Sequence, residues 1–295
     1  MLFKHILCPI DFSEFSTRAY RHSLSLSAHY RARLMALHVV ELWKYPYADY
    51  AATAGDYANF CRALQDGGQQ QLQDFVKNQP HGDIQPELIV QMGRAADSIL
   101  SLAQEQKIEL IVMGTHGRSG FDRLVLGSVT DHVMRKAGCP VLAVCCPLRE
   151  SVTSDEKGRH THHLSRILFC TDFSQNSEPA LDYAISVAEE YDSQLTLMYV
   201  LEHVPTAAVK EKLIATASEQ LAKLIPAEKR KALNIRTTVQ IGKPYARIIE
   251  HAKDAQTELV VMGVRGAGAL DRAVFGSTTY RVIQLGPCPV LVVHV

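Results

Sequence analysis

Short apolar runs rich in Val, Ile and Leu punctuate the chain, and longer stretches with apolar residues every three or four positions separate them. Read as strands, the short runs cover 5–10, 34–40, 87–92, 110–113 and 141–145, then 166–171, 194–200, 235–241, 259–262 and 290–294. The stretches between them carry the helical period: Ala180, Ala184, Val187, Ala188 and Tyr191 fall on one helix face. Five strands joined by four crossovers predict a doubly wound parallel sheet, because parallel neighbours need crossover connections and these are right-handed.

The whole pattern occurs twice. "HILCPIDFSE" near the start returns as "RILFCTDFSQ" in the middle. Asp11 and Asp172 lie 161 residues apart, as do Val39 and Val200, whereas Gly93 and Gly242, Gly114 and Gly263, Gly127 and Gly276, and Cys139 and Cys288 lie 149 apart. The second copy therefore lacks 12 residues between its second and third strands, opposite a region (41–85) that carries Tyr45, Tyr47, Tyr50 and Tyr57 in the first. A cleft lid and a protein-contact surface are both open readings of that insertion. Between the copies, "PLRESVTSDEKGRHTHHL" is polar, charged and without period, which reads as a linker. The expected division is a first domain over 1–147, a linker over 148–164 and a second domain over 165–295, each large enough for its own core. His160, His162 and His163 are metal-capable donors, but no carboxylate or cysteine is arranged around them, so a solvated linker is the preferred reading.

Charge narrows the function classes. Lysine plus arginine and aspartate plus glutamate each number 31, so the broad positive field used in sequence-independent nucleic-acid binding is missing. The amino-terminal stretch meets Asp11 before a signal-like apolar core forms, and no later run reaches membrane-spanning length; a cytoplasmic protein with no membrane partner is expected. The seven cysteines sit mostly in or beside apolar runs without metal-type spacing, as reduced thiols packed as small hydrophobes would. Adjacent Cys145 and Cys146 point to opposite faces of a strand, which argues against a redox pair.

In open parallel sheets ligands gather at the carboxyl ends of strands where the strand order reverses. With the first strand central, flanked by the second and fourth, the crevice opens after strands one and four. Strand one ends at Pro9, Ile10 and Asp11, and strand four runs into "MGTHGRSGFDRLVLGSVTD". That segment has the form G-x-x-G, nine residues, G-S: Gly114, Gly117, Gly127 and Ser128, repeated as Gly263, Gly266, Gly276 and Ser277. Glycine leaves the backbone uncovered, and a helix starting after Gly127 offers amides and a dipole to an anion. Ser128, Val129 and Thr130, and likewise Ser277, Thr278 and Thr279, are placed to meet phosphates through amides and hydroxyls, with Asp11 and Asp172 as acceptors for ribose hydroxyls. Each residue alone also fits a turn or a helix cap; the set, present twice with one spacing, points to an anion or nucleotide site. A G-x-G-x-x-G after strand one, a G-x-x-x-x-G-K-[ST] and a G-x-S-x-G are all absent, and Gly242-Lys243 is followed by Pro244.

"MGTHGRSGFDRLVLGSV" followed by "CPVLAV", with "CPIDFS" at the start, resembles a universal stress protein domain; "CTDFS", "MGVRGAGALDRAVFGSTT" and "CPVLVV" resemble a second. The resemblance covers nearly the whole chain apart from the linker and 41–85. It implies a tandem protein of two five-stranded parallel α/β sheets in strand order 3-2-1-4-5, of the ATP-binding subgroup and engaged in the stress response. It implies a base and ribose site from Pro9, Asp11 and Val39, with Met113, Gly114, Gly117, Gly127, Ser128, Val129 and Thr130 around ribose and phosphates. The second site would use Thr171, Asp172, Val200, Met262, Gly263, Gly266, Gly276, Ser277, Thr278 and Thr279. A divalent ion, Mg2+, on the phosphates is implied more weakly. The copies differ where His116 becomes Arg265, Arg118 becomes Ala267 and Asp131 becomes Tyr280; with an added arginine and without the acid, the second site is expected to hold polyphosphate at least as well as the first. Arg123 and Arg272 read as exposed loop residues. ATP binding that changes how the protein meets its partners is the leading function, with slow ATP hydrolysis and a nucleotide-free scaffold as alternatives. No residue is assigned as catalytic, since His116 is the nearby imidazole of copy one and copy two replaces it. The two domains are expected to pair within the chain, with the "CPVLAV" and "CPVLVV" strands as contact edges, and a homodimer is open.

Overall fold

The computed structural model describes residues 3–45, 54–116, 126–145, 152–154, 160–162, 164–204, 206–264 and 276–294. Contacts divide the chain into two units, the first chiefly Phe3–Cys139 with Val152–His162, the second chiefly Pro140–Ser151 with His163–Val295.

In the first unit, β1 (His5–Pro9), α1 (Glu14–Tyr30), β2 (Arg33–Val40), α2 (Ala54–Lys77), β3 (Glu87–Met92), α3 (Ala95–Glu105), β4 (Leu110–Gly114) and α4 (Ser128–Lys136) follow one another. β1 is central: it pairs in parallel with β2 through Ile6–Leu34 and with β4 through Ile6–Leu110, and β2 pairs in parallel with β3. Ile6, Leu7 and Cys8 are buried without a polar alternation, as in a sheet covered on both faces. Tyr20 of α1 meets Phe75 of α2 edge-on at 5.4 Å, and α3 packs beside α4. Right-handed crossovers put these two pairs on opposite faces of the sheet.

The second unit holds β8 (Arg166–Thr171), α5 (Glu178–Tyr191), β9 (Gln194–Leu201), α6 (Ala207–Lys223), α7 (Ala227–Ala232), β10 (Arg236–Ile241), α8 (Pro244–Asp254), β11 (Leu259–Gly263), α9 (Ser277–Leu285) and β12 (Val290–Val293). Its parallel order β10-β9-β8-β11-β12 is the 3-2-1-4-5 order expected from the sequence. β5 (Val141–Val144), the last strand of the first copy by sequence, groups with this unit and pairs antiparallel with β12, Leu142 opposite Leu291.

Two features depart from the sequence reading. The stretch expected to be an aperiodic linker contains β6 (Val152–Ser154) and β7 (His160–His162), an antiparallel hairpin that lies against α1. β-branched Val152, Thr153 and Thr161 suit a strand, and the hairpin covers a helix flank that would otherwise be wet. The 12-residue excess of copy one is also resolved into parts: 13 residues (41–53) separate β2 from α2 against five (202–206) between β9 and α6, α2 has 24 residues against 17 in α6, and the second copy recovers three in the longer connection to its third strand, 12 residues (224–235) against nine (78–86). Gly68 allows the longer helix to lie close to the sheet, because a Cβ there would stand 3.0 Å from Val40 Cγ2 and 3.3 Å from Val90 Cγ1. Among the described residues no helix is long and apolar enough to cross a membrane.

Candidate functional site

The carboxyl end of β1 is shaped by a D-F-S turn. Asp11 Oδ1 accepts from the Ser13 amide at 3.0 Å and from Ser13 Oγ at 2.6 Å, and Ser13 Oγ in turn accepts from the Ser16 amide at 3.1 Å, closing the amino end of α1. Phe12 between them takes a left-handed φ of 63°, strained for a bulky residue, and its ring lies 4.5 Å from that of His38 and 5.7 Å from Phe75. His38 Nδ1 sits 2.8 Å from the Ile10 carbonyl, so the ring donates from that nitrogen. The second copy repeats the turn. Asp172 Oδ1 accepts from the Ser174 amide at 3.1 Å and from Ser174 Oγ at 2.6 Å, Phe173 has φ 61°, and its ring lies 4.5 Å from Tyr199, the counterpart of His38. One carboxylate oxygen of each aspartate is thus engaged by its own turn, the capping role open to it from the sequence.

Across the crevice, β4 ends at Gly114. A Cβ on this residue would stand 2.7 Å from Phe15 Cβ, 2.8 Å from the Phe15 carbonyl carbon and 2.9 Å from its oxygen, so the glycine is required by the close approach of α1. The chain returns at Gly127, whose amide donates to the Thr115 carbonyl at 2.9 Å, and α4 begins. Gly127 has φ −58° and ψ 139°, an ordinary extended backbone, and no side chain caps the helix. Gly276 stands in the same way before α9, with φ −60°, no side-chain cap and its amide on the Val264 carbonyl at 3.1 Å. Ser13 caps α1, whereas the first amides of α4 and α9 have no intrahelical partner and, among the described residues, no capping side chain, a lack that α5 shares.

The predicted residues divide by burial. Ser128 and Ser277 are exposed, Val129 and Thr278 partly so. Thr130 and Thr279 are buried, and their hydroxyls donate to the Gly114 and Gly263 carbonyls at 2.8 and 3.1 Å, pinning each helix to the adjacent strand end. Met113 and Met262 belong to the core. Val39 and Val200 are half-exposed near the ends of β2 and β9, and Pro9 is half-buried. Thr171 is buried, its Oγ1 2.8 Å from Ser177 Oγ and accepting from the Phe173 amide at 2.9 Å. Gly117 and Gly266 lie outside the described residues, as do Arg118, Arg123, Arg265, Ala267 and Arg272. His116 is buried, its Nδ1 2.9 Å from Thr115 Oγ1 and its ring 4.9 Å from that of Phe15. The Ser13 cap and the left-handed phenylalanines were not singled out from sequence, although the D-F-S repeat carries the signal of an Asx turn.

The profile of the Universal stress protein family matches residues 2–144 and again 163–294. The chain belongs to this family. A universal stress protein of Methanocaldococcus jannaschii is 32% identical over 149 residues, 50% of this chain and 86% of that protein. One of Mycolicibacterium smegmatis is 25% identical over 300 residues, covering 98% of this chain and 96% of its own. The crystal structure of an Archaeoglobus fulgidus universal stress protein shares the fold with a TM-score of 0.65 at 21% identity, covering 98% of this chain and 96% of that one.

The two universal stress protein repeats differ at the helix that follows the glycine segment. In the first, Asp131 makes a paired contact with Arg135, Oδ2 to Nε and Oδ1 to Nη2, each at 2.9 Å. In the second, Tyr280 and Gln284 replace this ion pair. Asp131 is therefore partly neutralised by its own helix, and its opposition to a phosphate is smaller than its charge alone implies. Among the described residues no group of three His, Cys, Asp or Glu side chains is placed to hold a metal ion.

Proposed function

We propose that each repeat of this universal stress protein binds an adenine nucleotide, ATP, at the crevice between the β1–α1 turn and the start of α4, and between the matching turn and α9. The observation that carries the reading is the pair of glycine-capped helices: both start beside the strand end at the sheet's reversal point, and among the described residues their first amides have no capping side chain, whereas in the first crevice the neighbouring α1 is capped by Ser13. Phosphates would lie on the amides of residues 128–130 and 277–279 and the exposed hydroxyls of Ser128 and Ser277, the base and ribose toward Val39 and Asp11 or Val200 and Asp172. The donor set is main-chain amide and hydroxyl, the chemistry an anionic ligand takes. A Mg2+ accompanying the nucleotide would rest on phosphate oxygens and water. His116 is buried against Phe15, and we assign no side chain among the described residues to orient a water, which favours binding over hydrolysis. We read the protein as cytoplasmic, since the described cysteines are thiols, and as acting in the stress response through ATP occupancy.

Gly127→Val and Gly276→Val test the reading, because their φ values of −58° and −60° are open to any residue while the new side chain covers the amides. Calorimetric titration with ATP is expected to show two sites in the native protein, the second at least as tight as the first. Each variant should lose one of them, by about 100-fold or more for two or three charge-assisted bonds. Retention of both sites in the double variant rejects the assignment.

A further inference from the structure

We infer that Trp43, the single tryptophan of the chain, is a base-stacking residue of the first nucleotide site and has no counterpart in the second. The inference rests on the adenine-nucleotide reading above and adds a residue that sets base affinity in one half. Large apolar side chains left exposed among the described residues are Trp43, Tyr45, Tyr57, Val209 and Leu285; Trp43 and Tyr45 come from the longer connection that copy one has after β2, and Tyr57 from the start of α2. Trp43 is 59% exposed and sits in a 3-10 turn (Leu42–Lys44), four residues beyond Val39, at the carboxyl edge where the base is placed.

The turn is held on two sides. Glu41, its side chain 12% exposed, accepts from the Ala95 amide at the start of α3 at 3.2 Å and is ion-paired with Lys44. Tyr45 packs edge-on against Phe60 of α2 at 6.4 Å. Of the two rings on this turn, Trp43 is the more exposed, Tyr45 being partly covered by Phe60. A turn fixed at both ends holds an aromatic face at the strand edge with little ordering entropy to lose on binding, which is the arrangement that favours stacking on a purine. The corresponding stretch in copy two (202–206) reads Glu-His-Val-Pro-Thr and offers no comparable ring.

Because the tryptophan is unique, its emission reports on this site directly. Titration of the native protein with ATP and with adenosine is expected to change the emission saturably, with a dissociation constant that Gly127→Val alters and Gly276→Val leaves unchanged for ATP. Tripolyphosphate, which lacks a base, should bind without that change. Trp43→Ala should weaken ATP at the first site by about five- to 150-fold, the range of one base–aromatic stack, with the second site unmoved and Trp43→Phe retaining most of the affinity. Calorimetry that fills both halves while emission and Trp43→Ala affinity stay unchanged overturns the inference and leaves the nucleotide reading standing. A loss of self-association in Trp43→Ala under those conditions would assign the ring to a chain–chain contact instead. An equal weakening of tripolyphosphate also overturns stacking. Absence of ATP binding in either half overturns both readings.

Discussion

At the scale of residues, the glycines of the repeated segment separate into two kinds. Gly114 is bare because α1 passes against it, and the atoms that a Cβ would meet include the Phe15 main chain as well as its side chain. The α1 end cannot easily retreat, since Ser13 is tied to Asp11 and caps the helix. Gly114→Ala should therefore lower stability by about 1–3 kcal/mol, the range for overpacking a tight site. Gly127→Ala, at an ordinary backbone angle, should lower it by less than about 1 kcal/mol, the difference between glycine and alanine as an N-cap. Chemical denaturation of the two variants checks this, and equal losses would mean that both glycines are packing glycines. The sequence makes the segment visible but does not sort its members, because the partner of Gly114 lies in a helix far away in the chain. Thr130 and Thr279 teach the same lesson: spacing places them beside a phosphate, while their hydroxyls are engaged by strand carbonyls.

At the scale of elements, hydrophobic period located all ten sheet strands of the two copies to within a residue or so: the buried strands such as β4, β11 and β12 are continuous apolar runs, and the partly exposed edge strands β3 and β10 still carry β-branched residues. The hairpin β6–β7 was not legible, since its signal is three residues per strand in a polar stretch and its reason for folding lies elsewhere. That reason is α1. Residues His22, Ser23, Leu24, Ser25, Leu26 and Ser27 are all buried, more than a full turn, so no flank of the helix is solvated there, and β6 and β7 are among the elements against it. The serines disguise this in sequence, where alternation of Ser and Leu resembles neither an amphipathic helix nor a fully apolar one. Replacing 152–162 by an equally long Gly/Ser stretch should expose that flank. Amide exchange in residues 22–27 should then speed by tenfold or more, about 1.4 kcal/mol of lost protection, with β8–β11 unaffected. Unchanged protection would show that the hairpin covers nothing of consequence.

At the scale of the whole molecule, both units carry thiols in their cores, and this couples stability to alkaline pH. Burial pushes the Cys8 and Cys139 thiols from 9.0 up to about 12 and drives those of Cys170 and Cys288 upward as well. A thiol in the unfolded chain titrates near its ordinary value, so between pH 9 and 12 the folded protein keeps protons that the unfolded chain has released. Unfolding then expels protons, and stability falls as pH rises. Below pH 9 both states are protonated and these groups contribute no slope. The expected fall approaches about 1.4 kcal/mol per pH unit for each such thiol. The thermal midpoint should therefore be flat from about pH 7 to 8.5 and decline steeply above pH 9. A Cys8→Ala, Cys170→Ala double variant separates this cause from general alkaline damage: its midpoint at neutral pH drops through lost packing, yet its decline above pH 9 is shallower because two of the protons are gone. An unchanged slope would place the alkaline sensitivity in other groups, such as Tyr20, whose hydroxyl is also shifted upward by burial.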